Sequence, residues 1–265
     1  MKYTDYLRKE NLSKNTIQVY EAQANRFEKY VGKKKLNAQV VKMYVAGWSK
    51  GYKPTTVNLY IIALNKYLKW RGYSEFIQQT KRIQRNRSLM NVLSIQEYHQ
   101  LLQYANKTKR YKYCLIMRLL AGTGIRIGEL EYVTVMAIVK GSCIVFNKEK
   151  YHQIYIPCTL QEELLKYCRK EKISSGPIFL GNRQTPVSRS GVWKMLKKLA
   201  EMVGVPEEKV HPHSFRHLFA KSYMKQYGDI TELADILGHS SIEMTRIYTV
   251  TTVEEKRSRL NSLKI

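Results

Sequence analysis

Acidic residues are scarce in this chain of 265 residues. Lysine and arginine number 46 and aspartate and glutamate 21, so the formal net charge at pH 7 is +25. The basic excess is spread along the chain rather than confined to one tail. Such a balance predicts a polyanionic partner, because a strongly positive surface attracts polymers of negative charge.

Long hydrophobic stretches are also missing. No apolar run approaches the roughly 20 residues that a membrane-spanning helix needs. No charged start leads into an apolar, signal-like stretch. We therefore expect neither a membrane span nor secretion, and predict a soluble protein of the cytoplasm.

Cysteine is rare and is not arranged in pairs. The four cysteines are Cys114, Cys143, Cys158 and Cys168, and none belongs to a Cys-x-x-Cys motif. Their spacing supports neither a zinc ribbon nor a dithiol redox site. We expect reduced, packed thiols.

Helical periodicity dominates residues 1–76. Ser13 is placed to cap a helix that Gly32 ends, and a second helix begins after Asn37. Pro54 stands where a first helical turn tolerates proline, and Gly72 closes this third helix. These residues predict a compact helical domain.

A basic segment, residues 77–92, follows with little apolar periodicity. We interpret it as a linker that binds a polyanion, with a plain solvated loop as the alternative. Its candidate binding residues are Lys81, Arg82, Arg85 and Arg87. Ser94-Ile-Gln-Glu97 then fits a capping box, so a second domain is expected over residues 93–265.

The second domain is predicted to be helical apart from one hairpin. Ile144–Phe146 and Ile154–Ile156 are short β-rich runs, and the polar residues 147–153 between them predict a charged tip. The expected fold class is therefore mainly α, with a small antiparallel β-hairpin in an α+β second domain.

Two arginine motifs indicate phosphate chemistry. Arg126 follows the flexible Gly124 and precedes Glu129 by three residues, while His213 and Arg216 share one helical face at i and i+3. A guanidinium stays charged and bonds two phosphate oxygens, which suits the charge that develops on an attacked phosphodiester. Taken alone, an Arg126–Glu129 pair is more often a plain surface ion pair.

Two alternatives remain open at this point. His213 and His217, at i and i+4, fit a metal site, although no carboxylate or cysteine cluster lies nearby in sequence. Residues 230–248 also fit a helix-turn-helix with Gly238 in its turn, which would leave Tyr248 as an ordinary packed aromatic. That second pattern predicts base contacts from Ser241, Met244 and Thr245.

Together, the motifs resemble those of the tyrosine recombinase and integrase family, which includes Xer-like recombinases and the integrases of mobile elements. The matching parts are Thr123-Gly-Ile-Arg-Ile-Gly-Glu-Leu130, His213-Ser-Phe-Arg-His217 and Leu237-Gly-His239, with Tyr248 nine residues further on. The resemblance spans both domains, in a two-domain form of the family. It implies that residues 1–76 are a SAM-like, core-binding domain, and that this domain and a catalytic domain close on DNA as a C-shaped clamp.

The resemblance also implies the chemistry. Tyr248 would be the nucleophile, forming a 3′-phosphotyrosyl bond and releasing a 5′-hydroxyl. Arg126 and Arg216 would hold the scissile phosphate, His213 and His239 would complete its hydrogen bonds and handle protons, and Glu129 would support Arg126. Neither a metal nor another cofactor is expected, because the phosphotyrosyl bond conserves the energy of the broken bond.

The family's general acid is a lysine on a β-hairpin, and here the sequence departs from the pattern because a Gly-Lys-Gly turn is missing. Lys148 is our prediction for this acid, and Lys150 is the alternative. Register decides between them, and sequence does not fix the register.

Strand exchange through a Holliday junction implies a homotetramer on two double-stranded DNA sites. The tail, residues 250–265, is expected to form a short amphipathic helix that docks on a neighbouring subunit or folds on its own domain. Two other functions stay open. They are a non-catalytic helix-turn-helix-like regulator and a type IB topoisomerase-like enzyme that nicks and relaxes DNA.

Overall fold

The computed structural model of the protein describes residues 1–83, 92–147, 150–181, 184–249, 257 and 261–262. The chain divides into two compact units, Met1–Asn86 and Arg87–Ile265. Across the described residues the structure is mostly α-helical with one two-stranded antiparallel sheet, which confirms the predicted mainly helical class with a small hairpin. No helix in this described part of the chain combines the length and the apolar character needed to cross a membrane.

The first unit is built from four helices. They are α1 (Tyr3–Lys9), α2 (Lys14–Val31), α3 (Ala38–Ala46) and α4 (Pro54–Trp70). The side chains of Ser13 and Asn37 accept hydrogen bonds from backbone N–H groups at the starts of α2 and α3, as predicted. Helix α1 is an addition that the sequence patterns did not predict. The core of the unit includes Phe27, Leu64 and Leu68, all nearly fully buried.

The start of the predicted linker lies on helix α4. Asn65 donates to the carbonyl of Gln78 at 2.7 Å and accepts from its N–H at 2.9 Å. Asn58 makes the same pair of bonds to Lys81, at 2.7 and 2.9 Å. Seven residues are two helical turns, so both asparagines share one face of α4 and bind an extended segment. This part of the linker is therefore anchored rather than a plain solvated loop.

The second unit surrounds a buried central helix. Its α-helices are α5 (Ile95–Lys107), α6 (Tyr111–Thr123), α7 (Val135–Lys140), α8 (Cys158–Lys170), α9 (Arg189–Val203), α10 (Pro212–Gln226) and α11 (Ile230–Leu237). Helix α6 contacts α5, α8, α9 and α10, and Ile116, Met117 and Leu120 on it are fully buried. The capping box of Ser94 and Glu97 is confirmed at the start of α5.

The hairpin is longer than predicted, and a short helix precedes it. Strands β1 (Ser142–Asn147) and β2 (Lys150–Tyr155) pair from Ser142 opposite Tyr155 to Asn147 opposite Lys150. The predicted charged tip over residues 147–153 is therefore wrong, because residues 150–153 belong to β2. The side chains of residues 151–155 alternate between exposed and inward positions, a period of two that the polar composition obscured. Helix α7 lies where the sequence suggested no helix.

The four cysteines are free thiols. Cys114, Cys143 and Cys168 are buried as expected, whereas Cys158 is exposed at the first residue of α8, so the prediction of packed thiols is wrong for that residue.

Candidate active site

Arg216 is the buried centre of the site. It lies in α10 with only 4% of its surface exposed. One guanidinium nitrogen, Nη1, donates to the carbonyl of Gly124, and Nη2 donates to the carbonyl of Leu237 at 2.6 Å. These carbonyls belong to the C-terminal ends of α6 and α11, where backbone acceptors lack helical partners and the helix dipole is negative. Two helix ends therefore stabilise the buried cation.

Arg126 is held beside it by a carboxylate. Its backbone N–H and its Nη1 each donate to an oxygen of Glu129, both at 2.9 Å, and its Nη2 donates to the carbonyl of Gly238 at 3.1 Å. The Glu129 side chain is 3% exposed, whereas that of Arg126 is 27% exposed. The carboxylate therefore orients Arg126 from within and leaves part of the guanidinium accessible.

The net positive charge of Arg126 and Arg216 favours the binding of an anion. Burial lowers the pKa of Arg216 to about 10, and the nearby Arg126 contributes to the same shift while Glu129 opposes it. Arg216 nevertheless remains protonated near neutral pH. Two guanidinium groups thus share one buried carboxylate, and a phosphate group would balance the remaining positive charge.

His239 is positioned by the turn that ends α11. Gly238 has φ of +59°, a left-handed conformation that suits glycine, and it redirects the chain at the helix end. The Nδ1 atom of His239 is 2.7 Å from the hydroxyl of Thr245, which is fully buried. Burial, followed by Arg216 and Arg126, lowers the pKa of His239 to about 4, so the imidazole is neutral at pH 7.

Tyr248 lies in a 3₁₀ turn, Arg246–Thr249, and is 8% exposed. Its hydroxyl is 2.8 Å from Nδ1 of His217, the residue that follows Arg216 in α10. Burial raises the pKa of the Tyr248 phenol, and the positive charges of Arg216 and Arg126 oppose that rise. The predicted nucleophile is thus within the field of both arginines.

His213 occupies the first turn of α10 with an exposed side chain. Partial removal from water lowers its pKa, and Arg216 and then Arg126 add to the shift. It lines a pocket of about 520 Å³ together with Ile127, Arg189 and Trp193. The structure therefore places His213 near both arginines, but on the side of this apolar pocket.

Other predicted site residues lie elsewhere or outside the described residues. Lys148 falls outside them, and Lys150 begins β2 opposite Asn147. Lys81 and Arg82 are exposed on the first unit. The remaining two linker residues, Arg85 and Arg87, also fall outside the described residues.

His152 is a site residue that the sequence patterns did not reveal. Its Nε2 atom is 3.8 Å from a carboxylate oxygen of Glu129. A Cβ atom built on Gly238 would lie 2.6 Å from Cγ of His152, so the imidazole packs directly on that glycine. Burial lowers the pKa of His152, and Glu129 opposes the shift. The signal was the alternation of β2, which the prediction of a polar tip overlooked.

An open cleft of about 1220 Å³ exposes this site. Its lining includes Arg126, His152, Gly238 and His239, together with the outward residues of β2 and one side of α11. The accessible face of Arg126 therefore opens onto a cleft that part of a bound ligand can enter.

The helix-turn-helix alternative is not favoured. After α11 the described chain forms two short 3₁₀ turns, Ile242–Met244 and Arg246–Thr249, where that alternative requires a second α-helix. Thr245 is fully buried and bound to His239, so it is not free to contact bases. Among the residues that the structure describes, no group of three or more His, Cys, Asp or Glu side chains is placed to hold an ion.

Comparison with known proteins places this geometry in a family. Residues 91–255 match the phage integrase family, and residues 1–72 match the phage integrase N-terminal SAM-like domain. The tyrosine recombinase XerA of Thermococcus onnurineus (strain NA1) is 30% identical over 96% of this chain and 91% of its own. XerA of Pyrococcus furiosus (strain ATCC 43587 / DSM 3638 / JCM 8422 / Vc1) is also 30% identical, over 99% and 93%.

A solved structure supports the same fold. The integrase of transposon Tn1549, in complex with circular intermediate DNA, superposes with a TM-score of 0.75 at 18% identity, covering 99% of this chain and 98% of that one. The family match extends over more than half of the chain and includes every motif residue of the site. The chain therefore belongs to the phage integrase family of tyrosine recombinases.

Proposed function

We propose that this protein recombines DNA at specific sites by using Tyr248 to attack a phosphodiester. The tyrosine oxygen bonds to phosphorus, the 5′ oxygen leaves, and a 3′-phosphotyrosyl intermediate conserves the bond energy for rejoining. The observation that carries the proposal is the convergence of four distant segments. Arg216 binds the carbonyls of Gly124 and Leu237, Arg126 binds that of Gly238, and the Tyr248 hydroxyl adjoins α10.

The two arginines hold the non-bridging oxygens of the scissile phosphate in this proposal. Arg126 offers the accessible guanidinium, and Arg216 supplies buried positive charge from behind. Because their backbone and carboxylate partners fix both groups in advance, little reorganisation accompanies the reaction. Glu129 orients Arg126, while His239 and His213 complete the hydrogen bonds around the phosphate.

The departing 5′ oxygen needs a proton, which we assign to Lys148, with Lys150 as the alternative. The described strands support this choice. Asn147 and Lys150 are paired residues at the end of the hairpin, and His152 of the same hairpin reaches Glu129 in the site.

The substrate is double-stranded DNA, and the homotetramer assembled on two DNA sites exchanges strands through a Holliday junction. The SAM-like domain, residues 1–76, and the catalytic domain, residues 93–265, close on the duplex as a clamp. Lys81, Arg82, Arg85 and Arg87 of the linker 77–92 contact its phosphates, and the tail 250–265 docks on a neighbouring subunit. We place the reaction in the cytoplasm, and the net charge of +25 supports the choice of partner.

Covalent capture tests this proposal and identifies the target sequence in the same experiment. The protein is incubated with a library of nicked duplexes that includes DNA flanking its own gene, and protein-linked DNA is recovered under denaturing conditions and sequenced. We expect captured molecules to share one site and to carry the protein at a 3′ end. A 5′ linkage, or no linkage despite tight binding, would refute the assignment.

Two variants make the result specific to Tyr248. Tyr248→Phe lacks only the attacking oxygen, so it should bind the captured site and form no adduct. Tyr167→Phe, in α8 of the same unit, serves as the matched control and should form adduct at the wild-type rate. Relaxation of plasmids that lack the captured site would instead indicate a topoisomerase-like activity.

A further inference from the structure

His217 touches the reacting atom of the proposed nucleophile, although the family resemblance assigns it no role in the reaction. The Nδ1 atom of its imidazole is 2.8 Å from the hydroxyl oxygen of Tyr248, a normal hydrogen-bond distance. The two ring centres are 5.5 Å apart, with an angle of 53° between the planes. The contact is therefore made through the hydroxyl and not by stacking of the rings.

We infer that His217 is the base that accepts the phenolic proton of Tyr248 during attack on DNA. The inference rests on the proposed function, because it assigns a further catalytic residue to the same reaction. The resemblance assigned the handling of protons to His213 and His239, and this inference gives the tyrosine's proton to His217 instead. The exposed side chain of His213 lines the pocket with Ile127, Arg189 and Trp193, whereas His239 lines the open cleft.

The surroundings of His217 keep it ready to accept a proton. Burial lowers the pKa of His217 to about 4, and the nearby His213, His211 and Arg216 add to the shift. His239, on the turn after α11, is a further titratable neighbour. The imidazole is therefore neutral at pH 7, and a proton on Nε2 leaves the Nδ1 lone pair free to accept from the phenol.

The step balances with the groups named. The Tyr248 oxygen forms a bond to phosphorus as the bond from phosphorus to the 5′ oxygen breaks. The phenolic proton passes to Nδ1 of His217, and a separate acid, Lys148 in the proposed function, protonates the departing oxygen. On rejoining, the 5′ hydroxyl attacks phosphorus and gives its proton to the deprotonated Lys148, while the imidazolium returns its proton to the departing tyrosine oxygen. The negative phosphate raises the proton affinity of the imidazole when DNA is bound, which offsets the low value in the free protein.

The experiment uses two substrates at the captured site and single-turnover kinetics of adduct formation. One carries the normal 5′ oxygen at the scissile phosphate, and the other carries sulfur at that bridging position. A departing thiolate needs no acid, so loss of Lys148 affects only the oxygen substrate. Activation of Tyr248 is needed for both substrates.

Two substitutions separate proton transfer from positioning. His217→Leu removes the contact, and His217→Asn keeps an acceptor near the Nδ1 position that takes up no proton. We expect both to slow adduct formation about 100-fold or more on both substrates, the usual scale of general base catalysis. Lys148→Ala should form adduct slowly on the oxygen substrate and faster on the sulfur substrate. His99→Asn, an exposed histidine of α5, is the matched control and should match wild type.

Each outcome decides the question. The inference is overturned if the sulfur substrate restores the adduct rate of His217→Leu, because His217 would then serve the leaving group. It is also overturned if the adduct rate of His217→Asn stays within about threefold of wild type, because a hydrogen-bond contact alone would then suffice. Binding to the captured site and the melting temperature show whether each variant is folded. If His217→Leu is not folded, the adduct rate of His217→Asn alone decides whether His217 is the base. If wild type itself forms no adduct, the proposed function fails and this inference fails with it.

Discussion

Replacing Gly238 with alanine is expected to damage both the stability of the second unit and the reaction. The residue has φ of +59°, and its new Cβ would lie 2.6 Å from Cγ, 2.8 Å from Cδ2 and 3.0 Å from Cβ of His152. The left-handed backbone costs a non-glycine residue about 1–2 kcal/mol. Forcing an extra methyl group against packed atoms adds about 1–3 kcal/mol.

Gly204 supplies a matched control for this prediction. It caps α9 with φ of +71°, and a Cβ there would meet nothing within 4 Å. Gly204→Ala therefore carries the backbone cost without the collision. Since 1 kcal/mol shifts the melting temperature of a unit of this size by about 2–4 °C, Gly238→Ala should melt about 2–12 °C below Gly204→Ala. Differential scanning calorimetry measures that difference directly.

The collision also predicts a coupling to His152. Substituting His152 with alanine removes two of the three close atoms, so the penalty of Gly238→Ala should shrink in the double variant. The adduct rate should fall in Gly238→Ala alone, because the displaced Gly238 carbonyl is the partner of Arg126. Equal melting temperatures for the two glycine variants, or an unchanged penalty in the absence of His152, would show that packing at this glycine does not matter.

Three further predictions concern the arginines, pH and salt. Arg216→Lys replaces a guanidinium that binds two carbonyls with a single ammonium group, so the rate of adduct formation should fall about 100-fold or more. The control Arg118→Lys, which alters the partly exposed ion pair with Glu163, should leave that rate unchanged. The pKa of His239 is about 4 in the folded protein, below its ordinary value of 6.5. Between these two pH values the unfolded chain binds more protons than the folded one, so the free energy of unfolding falls as the pH falls from about 6.5 towards 4. Calorimetry from pH 7.5 to 4.5 tests this, and His239→Gln should flatten the slope. DNA affinity measured by anisotropy should fall with salt at a log-log slope of about −0.9 per neutralised phosphate, and a flat response would argue against binding through phosphates.

Local motifs predicted much of the fold. The caps at Ser13, Asn37 and Ser94 lie within a few residues of the groups that they bind, so sequence alone contains the whole interaction. Strand β2 was shortened because its polar residues hid their alternation, and α7 was missed because it spans only six residues.

The site shows the limit of sequence more clearly. Spacing placed Arg126 and Arg216 in motifs, but it could not reveal that their partners are the carbonyl ends of α6 and α11, since a backbone carbonyl has no sequence signature. His217 was part of a motif, and His152 belonged to a predicted tip. Their contacts to Tyr248 and Glu129 join residues 31 and 23 positions apart, which local patterns cannot encode.

The dependence of Arg216 on two helix ends has a consequence for the order in which the enzyme becomes active. Its carbonyl partners lie 92 residues before it and 21 residues after it. A chain on the ribosome that has not yet produced α11 leaves this guanidinium without its second partner and leaves Arg126 without the Gly238 carbonyl. The proposed nucleophile, Tyr248, is made later still. The contacts that fix both arginines are therefore complete only once the chain has been made through α11 and Gly238, so the site is assembled last, by the segment that also carries Tyr248.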